Sequence, residues 1–420
     1  LLGHIAHLSL IYPSHNMPCL YKSLLNSEQG NMKTSTGLFR ESMRSYLGKF
    51  YSREYVRELE ESLRTPGSRY FMRVNTLKAD PSEVAYILRE EGYEVYNHPQ
   101  VREAIYTHVK GPFDVNIHRG RVIVDWKTAE SVYVGANVYA PGVHKVVNAD
   151  KGDYVTVTSP DGTVVAEGVL EMSPPEIFRE RRGLAVRTTN SVFRIVSLRE
   201  HPFFREGVIY HQSLPSIVAV KALAPKPGWT VLDMCASPGG KATHAATLME
   251  DSGEVIAVDR SENKVRAIEE NARRLGLRSV RPLLYDSRYI SEVLGVNSVD
   301  TVILDPPCTT LGIRPKLIYT REEKDVYQLA EYQRQFLSEA WRVLRRGGLL
   351  LYTTCTLTPH ENEFNVLYAA SKLGFKTLRV NTPLKLRTPY LGIEGAVFDP
   401  VVNDTPGFFI AVLRKNGESG

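Results

Sequence analysis

Two cysteines stand directly after apolar runs that read as buried strands. Cys308 closes "VILDPPC" and Cys355 closes "LLLYTTC". A strand end flanked by prolines gains little from a thiol as packing, so both residues raise a question of chemistry. Adjacent parallel strands deliver their carboxyl ends to one crevice, where ligands bind in open α/β sheets. Both thiols are therefore expected to face one pocket. A free cysteine taken alone is more often a small buried hydrophobe, and only the pairing argues otherwise.

Three acids occupy matching positions. Asp259 ends the run "EVIAVD", Asp286 follows "VRPLLY", and Asp305 ends "TVILD". Upstream, "LDMCASPGGKATHAATLM" places a Gly-Gly turn between a strand and a helix. Such a turn admits a ligand close to the backbone and offers the free N–H groups of a helix start. A phosphate-cradling Walker A loop would need Gly at Cys235 and Ser or Thr at Ala242, and the dinucleotide pattern G-x-G-x-x-G is missing. Asp259 can accept hydrogen bonds from a ribose diol and Asp286 can reach an adenine edge. A glycine turn with these acceptors and no pyrophosphate cradle suits S-adenosylmethionine.

A methyl donor beside two thiols has a specific use. Carbon 5 of cytosine is too poor a nucleophile to attack a sulfonium methyl. A thiolate adding at carbon 6 makes an enamine, and carbon 5 then becomes nucleophilic. After transfer, the carbon 5 proton must leave and the thiol must be expelled. An acid near N3 of the base would stabilise the adduct, and Asp305 is placed for it if burial keeps it protonated. Lys241 can supply charge that favours a thiolate or orients Asp305; its plain alternative is a surface lysine at a helix start.

The elements that position these groups are legible as a pattern. Strands at 230–235, 254–259, 280–285, 301–305, 348–354 and 408–414 alternate with helices, which predicts a doubly wound, Rossmann-like α/β sheet. Ser261 can cap a helix that runs to Gly276. Thr358, Pro359 and Glu361 fit a capping box whose helix closes at Gly374. The final "GFFIAVLRK" reads as a late strand inserted at the sheet edge. Residues 120–170 hold short β-branched runs punctuated by glycines, as in a small β barrel. Residues 70–110 mix strands with an amphipathic helix from Pro81 to Glu91, so the barrel interrupts an N-terminal α+β region. The domains expected are a disordered or non-native leader at 1–31, the α+β region at 32–115, the barrel at 116–193, and a linking segment with the α/β domain at 194–420.

Composition excludes little but bounds much. The 420 residues suit two or three domains. Four cysteines (Cys19, Cys235, Cys308, Cys355) show neither zinc-site nor disulfide spacing, so reduced thiols in a cytoplasmic protein without metal are expected. No run approaches the roughly 18 apolar residues of a membrane span, and the first residues lack the basic region and cleavage site of a secretory signal. A net charge of +5 permits a nucleic-acid partner without demanding one. Basic clusters at "FRERRGLAVR" (with Arg181 and Arg182) and at Arg314, Lys316, Arg321 and Lys324 can follow an RNA backbone. Solvated faces are the plain alternative. Trp126 is a packing or stacking aromatic. No pairing helix is evident, so a monomer is expected.

"DMCASPGGK", "DPPC" and "TTCTLTPHENE" resemble motifs of the Nop/Sun family of RNA (cytosine-5) methyltransferases. "RVNTLK" (73–78) and "HPFFREGVIYHQ" (201–212) resemble its N-terminal and linking segments, so the likeness covers about residues 70–110 and 195–415. It implies that Cys355 is the nucleophile and that Cys308 assists product release. It implies that cofactor contacts fall on Cys235, Ala236, Ser237, Pro238, Gly239, Gly240, Lys241, Asp259, Asp286 and Asp305. "GGKA" departs from the usual Gly-Gly-Lys-Thr and removes a hydroxyl near the turn. The β insert resembles a PUA domain, which binds RNA. That architecture implies the branch that methylates tRNA, at the acceptor-stem cytosine next to the discriminator base. The alternatives are the same chemistry on rRNA or another tRNA site, amino methylation, or an RNA-binding factor without catalysis. Amino methyltransferases place an aromatic after the prolines and need no thiol.

Overall fold

A computed structural model describes residues 37–416; the leader expected at 1–31, with Cys19, lies outside them. The C-terminal sheet contains β1 (Thr230–Asp233), β2 (Glu254–Asp259), β3 (Val280–Leu284), β4 (Val299–Leu304), β5 (Leu344–Thr354), β6 (Phe375–Leu378), β7 (Ala396–Phe398) and β8 (Phe408–Lys415). Its order is β3-β2-β1-β4-β5-β8-β6, with β7 also on β8. Strands β1 to β5 run parallel, and β8 runs antiparallel to its neighbours. This is a Rossmann-like sheet that switches direction between β1 and β4, the position where such sheets bind ligands.

Alternate residues of these strands feed two separate cores. Leu232, Ile256, Val302, Leu304, Leu350 and Tyr352 pack on one face. Val231, Val255, Ala257, Ile303 and Leu351 pack on the other. Burial on both faces explains the continuous apolar runs, since a strand with one wet face would alternate with polar residues. Helices Glu41–Leu47 and Arg53–Arg64 close the first core through Met43, Tyr46, Leu59 and Leu63.

The last strand departs from expectation. β8 lies inside the sheet, bonded to β5 on one side and to β6 and β7 on the other. The short strands β6 and β7 hold too few residues to register as periodic, and they cover the edge that β8 was expected to form.

A four-stranded antiparallel sheet is built from both sides of the β insert, in the order 209–211, 69–74, 104–108, 95–97. Helix Pro81–Glu90 covers one face; Asp80 caps it by accepting from Ser82 N at 2.8 Å, and Val84, Ala85 and Leu88 are buried. The insert itself is a six-stranded sheet around a valine-rich core. Its two end strands, Val138–Tyr139 and Val143–Val147, are joined by the single turn Ala140–Gly142, which brings the ends of the sheet together. Among the described residues, no helix is long and apolar enough to cross a membrane.

Candidate active site

The first strand–turn–helix carries the tightest backbone. Gly239 sits at φ +103° as the N-cap of helix Gly240–Leu248, a conformation that β-carbon sterics deny to most residues. Arg73 fixes the turn from outside: its Nη1 donates to Gly240 O at 2.9 Å and to Gln212 Oε1 at 2.6 Å, and its Nη2 donates to Thr243 Oγ1 at 3.1 Å. Arg73 is fully buried.

A cleft of about 310 Å³ opens above the carboxyl ends of β1, β2 and β4. Five of the residues expected to hold cofactor line it: Cys235, Ser237, Asp259, Asp286 and Asp305. Ala236, Pro238, Gly239, Gly240 and Lys241 form the turn and the helix start behind it. Asp259 is nearly buried and meets Lys264 at 3.5 Å. Asp286 is already engaged, accepting from Arg288 Nε at 3.0 Å and from Arg288 N at 3.1 Å, and these bonds lower its pKa. The donor set fits S-adenosylmethionine: a buried carboxylate for a diol, a second acceptor one strand over, and a turn where a β-carbon on Gly240 would press on the Tyr210 ring at 3.3 Å. Tyr332 and Phe336 also line the cleft. They lie one helical turn apart on Glu323–Val343, where their spacing could not be told from core packing.

The thiols meet at the same cleft. Cys308 Sγ and Cys355 Sγ are 3.3 Å apart, and both residues line the cavity with Asp259. The hydrogen bond with Cys355, together with burial, pushes the Cys308 thiol well above its ordinary pKa. Cys308 is thus held as a thiol.

Asp305 is engaged through both of its carboxyl oxygens. Lys241 forms an ion pair with its Oδ2, and Thr353 Oγ1 donates to its Oδ1 at 3.1 Å. Both oxygens accept, which is the pattern of a carboxylate. Burial opposes the charge on Lys241, but the charge and hydrogen bond of Asp305 and the nearby Asp233 hold its pKa above the usual value. Lys241 thus stands charged, one hydrogen bond behind Asp305. Asp233 is fully buried, and burial raises its pKa to about 7.

The basic clusters divide. Arg314 is turned inward, its side chain 5% exposed, donating to Thr65 O at 2.8 Å and pairing with Asp404. Lys316 lies 3.6 Å from Glu130 on the first helix of the insert. Arg181 donates to the carbonyls of Val143 and Pro141, closing the turn between the end strands. Arg182 is exposed. All four were expected to reach RNA; Arg314 is turned into the protein and Lys316 pairs with Glu130, so both charges also tie elements of the protein together. Alternating charge in a sequence does not reveal which cations have a buried acid waiting.

Glu361 was read as a capping box, and that too is corrected. The helix begins at Glu363 with Asn362 as its N-cap, and the Glu361 carboxylate instead lies buried between the two cysteine loops.

The family described as 16S rRNA methyltransferase RsmB/F matches residues 220–414, and the PUA domain matches residues 120–192. The tRNA (cytosine(72)-C(5))-methyltransferase of Pyrococcus horikoshii is 40% identical over 90% of this chain and 97% of its own. The human tRNA (cytosine(72)-C(5))-methyltransferase NSUN6 is 33% identical over 86% of this chain and 83% of its own. A crystal structure of NSun6 from P. horikoshii with SFG, an analogue of S-adenosylmethionine, superposes with a TM-score of 0.83 at 38% identity, covering 91% of this chain and all of that one.

Proposed function

This chain belongs to the PUA-containing, Nop/Sun-type RNA (cytosine-5) methyltransferases, and from that premise we propose that it methylates carbon 5 of the acceptor-stem cytosine that precedes the discriminator base of tRNA. One observation carries the reading: two thiols 3.3 Å apart on adjacent strand ends, in the cleft that also reaches Asp259. The position named for the relatives, cytosine 72, supports the site on the RNA.

Cys355 adds as a thiolate to carbon 6 of the cytosine, and Cys308 donates its S–H toward that sulfur before attack. A proton relayed from Lys241 through Asp305 reaches N3, where negative charge collects as the C6–Sγ bond forms, and goes back along the same path when the adduct breaks. Bound in the cleft, S-adenosylmethionine supplies the electrophilic methyl group. A water molecule in the open cleft then takes the carbon 5 proton, the C5–H electron pair becomes the C5=C6 bond, and the C6–Sγ bond breaks with its electron pair returning to Cys355; Cys308 is assigned to this release, its S–H donating to the departing sulfur. Asp259 and the 235–241 turn orient the donor, with Asp286 at the adenine side. A paired cytosine has to be flipped out of the stem, at a cost of roughly a few kcal/mol. The PUA domain, with exposed Arg182, takes the end of the acceptor stem. The enzyme works as a cytoplasmic monomer without metal.

Incubating tRNA with the protein and S-adenosylmethionine, followed by bisulfite sequencing, tests the site. A single protected cytosine next to the discriminator base is expected; one in a loop overturns the acceptor-stem assignment. Retention of methyl transfer by Cys355→Ala overturns the nucleophile.

A further inference from the structure

Both thiols have a task in the reaction, and it requires that they be held together. The loops after β4 and β5 are separate stretches of chain, and neither thiol's strand fixes the distance to the other. A polar network buried beneath them does. The Glu361 side chain is 0% exposed. Its Oε1 accepts from Thr309 N at 2.9 Å and from Gln333 Nε2 at 2.9 Å. Its Oε2 accepts from Thr358 Oγ1 at 2.7 Å and from Thr309 Oγ1. Gln333 Nε2 also donates to Pro307 O at 2.9 Å, and the hydroxyls of Thr309 and Thr356 bond to each other at 2.8 Å.

The pattern brackets both sulfurs. Pro307 and Thr309 flank Cys308, and Thr356 follows Cys355. Burial raises the Glu361 pKa while these donors oppose the rise. The carboxylate meets four donors here; an amide would keep an acceptor toward Thr309 N and Gln333 but turn its NH2 toward the two threonine hydroxyls, which would have to give up their present bonds and rotate to accept.

We propose that Glu361 is a positioning residue for product release, whose buried carboxylate sets the spacing between Cys308 and Cys355. This rests on the assignment of those thiols to the reaction. Glu361 touches no substrate. It latches the loop of the releasing thiol to the loop of the nucleophile, so that release, the step needing both sulfurs, depends on it more than cofactor binding does.

The test compares wild type, Cys308→Ala, Glu361→Gln and Thr309→Val with tRNA and S-adenosylmethionine, reading turnover, covalent protein–RNA adduct on a denaturing gel, and cofactor affinity. Thr309→Val keeps the backbone donor and the side-chain shape, removing only the hydroxyl. Glu361→Gln is expected to lower turnover at least 10-fold and to raise the steady-state adduct at least 5-fold, with cofactor affinity within 2-fold of wild type. Thr309→Val is expected to move turnover and adduct in the same directions by about 3-fold. Adduct from Cys308→Ala but none above wild type from Glu361→Gln and Thr309→Val overturns this inference alone. Cofactor affinity falling in step with turnover in both variants overturns it as well, since the carboxylate would then serve the fold generally. Absence of adduct from Cys308→Ala overturns the thiol assignment and this inference with it.

Discussion

Arg73 Nη1 donates to the carbonyl oxygen of Gly240 at 2.9 Å, joining an inner strand of the N-terminal sheet to the first residue of the helix behind the cofactor cleft. The guanidinium is fully buried, and burial lowers its pKa to about 10. A buried cation is costly unless its donors are satisfied. Here the two Nη atoms find partners on Gly240, Thr243 and Gln212, while Nε has none, so the N-terminal region and the turn order each other through the outer end of the guanidinium.

Replacing Arg73 with Leu is therefore expected to weaken S-adenosylmethionine binding at least 10-fold. It should also lower the unfolding free energy by about 2–3 kcal/mol, the scale of a lost hydrogen bond from a charged donor. Calorimetric titration and urea unfolding measure the two. Reduced stability with unchanged affinity would show that the contact does not shape the cleft.

Lys241 and Asp305 make a second separable test. Lys241→Met leaves Asp305 with Thr353 as its remaining side-chain partner in the pair's network and removes the positive charge paired with Asp305. Single-turnover methyl transfer is expected to fall about 100-fold or more, the scale of losing one preorganised charge-stabilising group. Binding of tRNA, followed by filter retention, should change little. A fall in RNA binding equal to the fall in rate would move Lys241 from chemistry to recognition.

The acids and thiols of this site were legible because parallel strands align their carboxyl ends, so position in the sequence stands in for position in space. Asp259, Asp305, Cys308 and Cys355 all follow that rule. Glu361 was not legible: Thr-Pro-His-Glu is a good capping signature, and only the packed Thr309 and Gln333 show that the carboxylate turns inward. Arg314 failed for the converse reason, since the carbonyl of Thr65 that receives it lies 249 residues away in the chain. Local pattern reports which face of an element is apolar, whereas long-range polar pairing decides the rest.

Stability should fall in mild acid. Burial lowers the pKa of His211 and of His244 to about 4 each, and both ring nitrogens of His211 lack a partner. Above about pH 6.5 each imidazole is neutral whether folded or unfolded, so no difference arises. Below it the unfolded chain takes up protons that the folded protein refuses. Stability then drops until the pH nears 4, where the folded state protonates too. Between pH 6.5 and 5 the loss is about 1.5 kcal/mol for His211. Urea midpoints across that range check this, and His211→Leu should flatten the slope. A slope unchanged by that substitution would assign the acid sensitivity elsewhere.

Asp259 and Asp286 occupy equivalent strand ends, yet they should not contribute equally to cofactor binding. The Asp259 carboxylate is nearly buried, lines the cleft, and has Lys264 at the limit of hydrogen-bonding distance. Its acceptor capacity is largely available to a ribose diol. Asp286 already receives the Arg288 side chain and the Arg288 backbone N–H. A ligand reaching it gains less, because part of that capacity is committed. Two hydrogen bonds to a charged acceptor at about 1.5 kcal/mol each amount to roughly 100-fold in affinity. Asp259→Ala is accordingly expected to raise the dissociation constant for S-adenosylmethionine about 100-fold, and Asp286→Ala about 10-fold or less. Equilibrium titration of the two variants decides it. An equal or larger effect at Asp286 would mean that Arg288 releases the carboxylate when cofactor enters, making that ion pair a latch on the adenine side of the cleft.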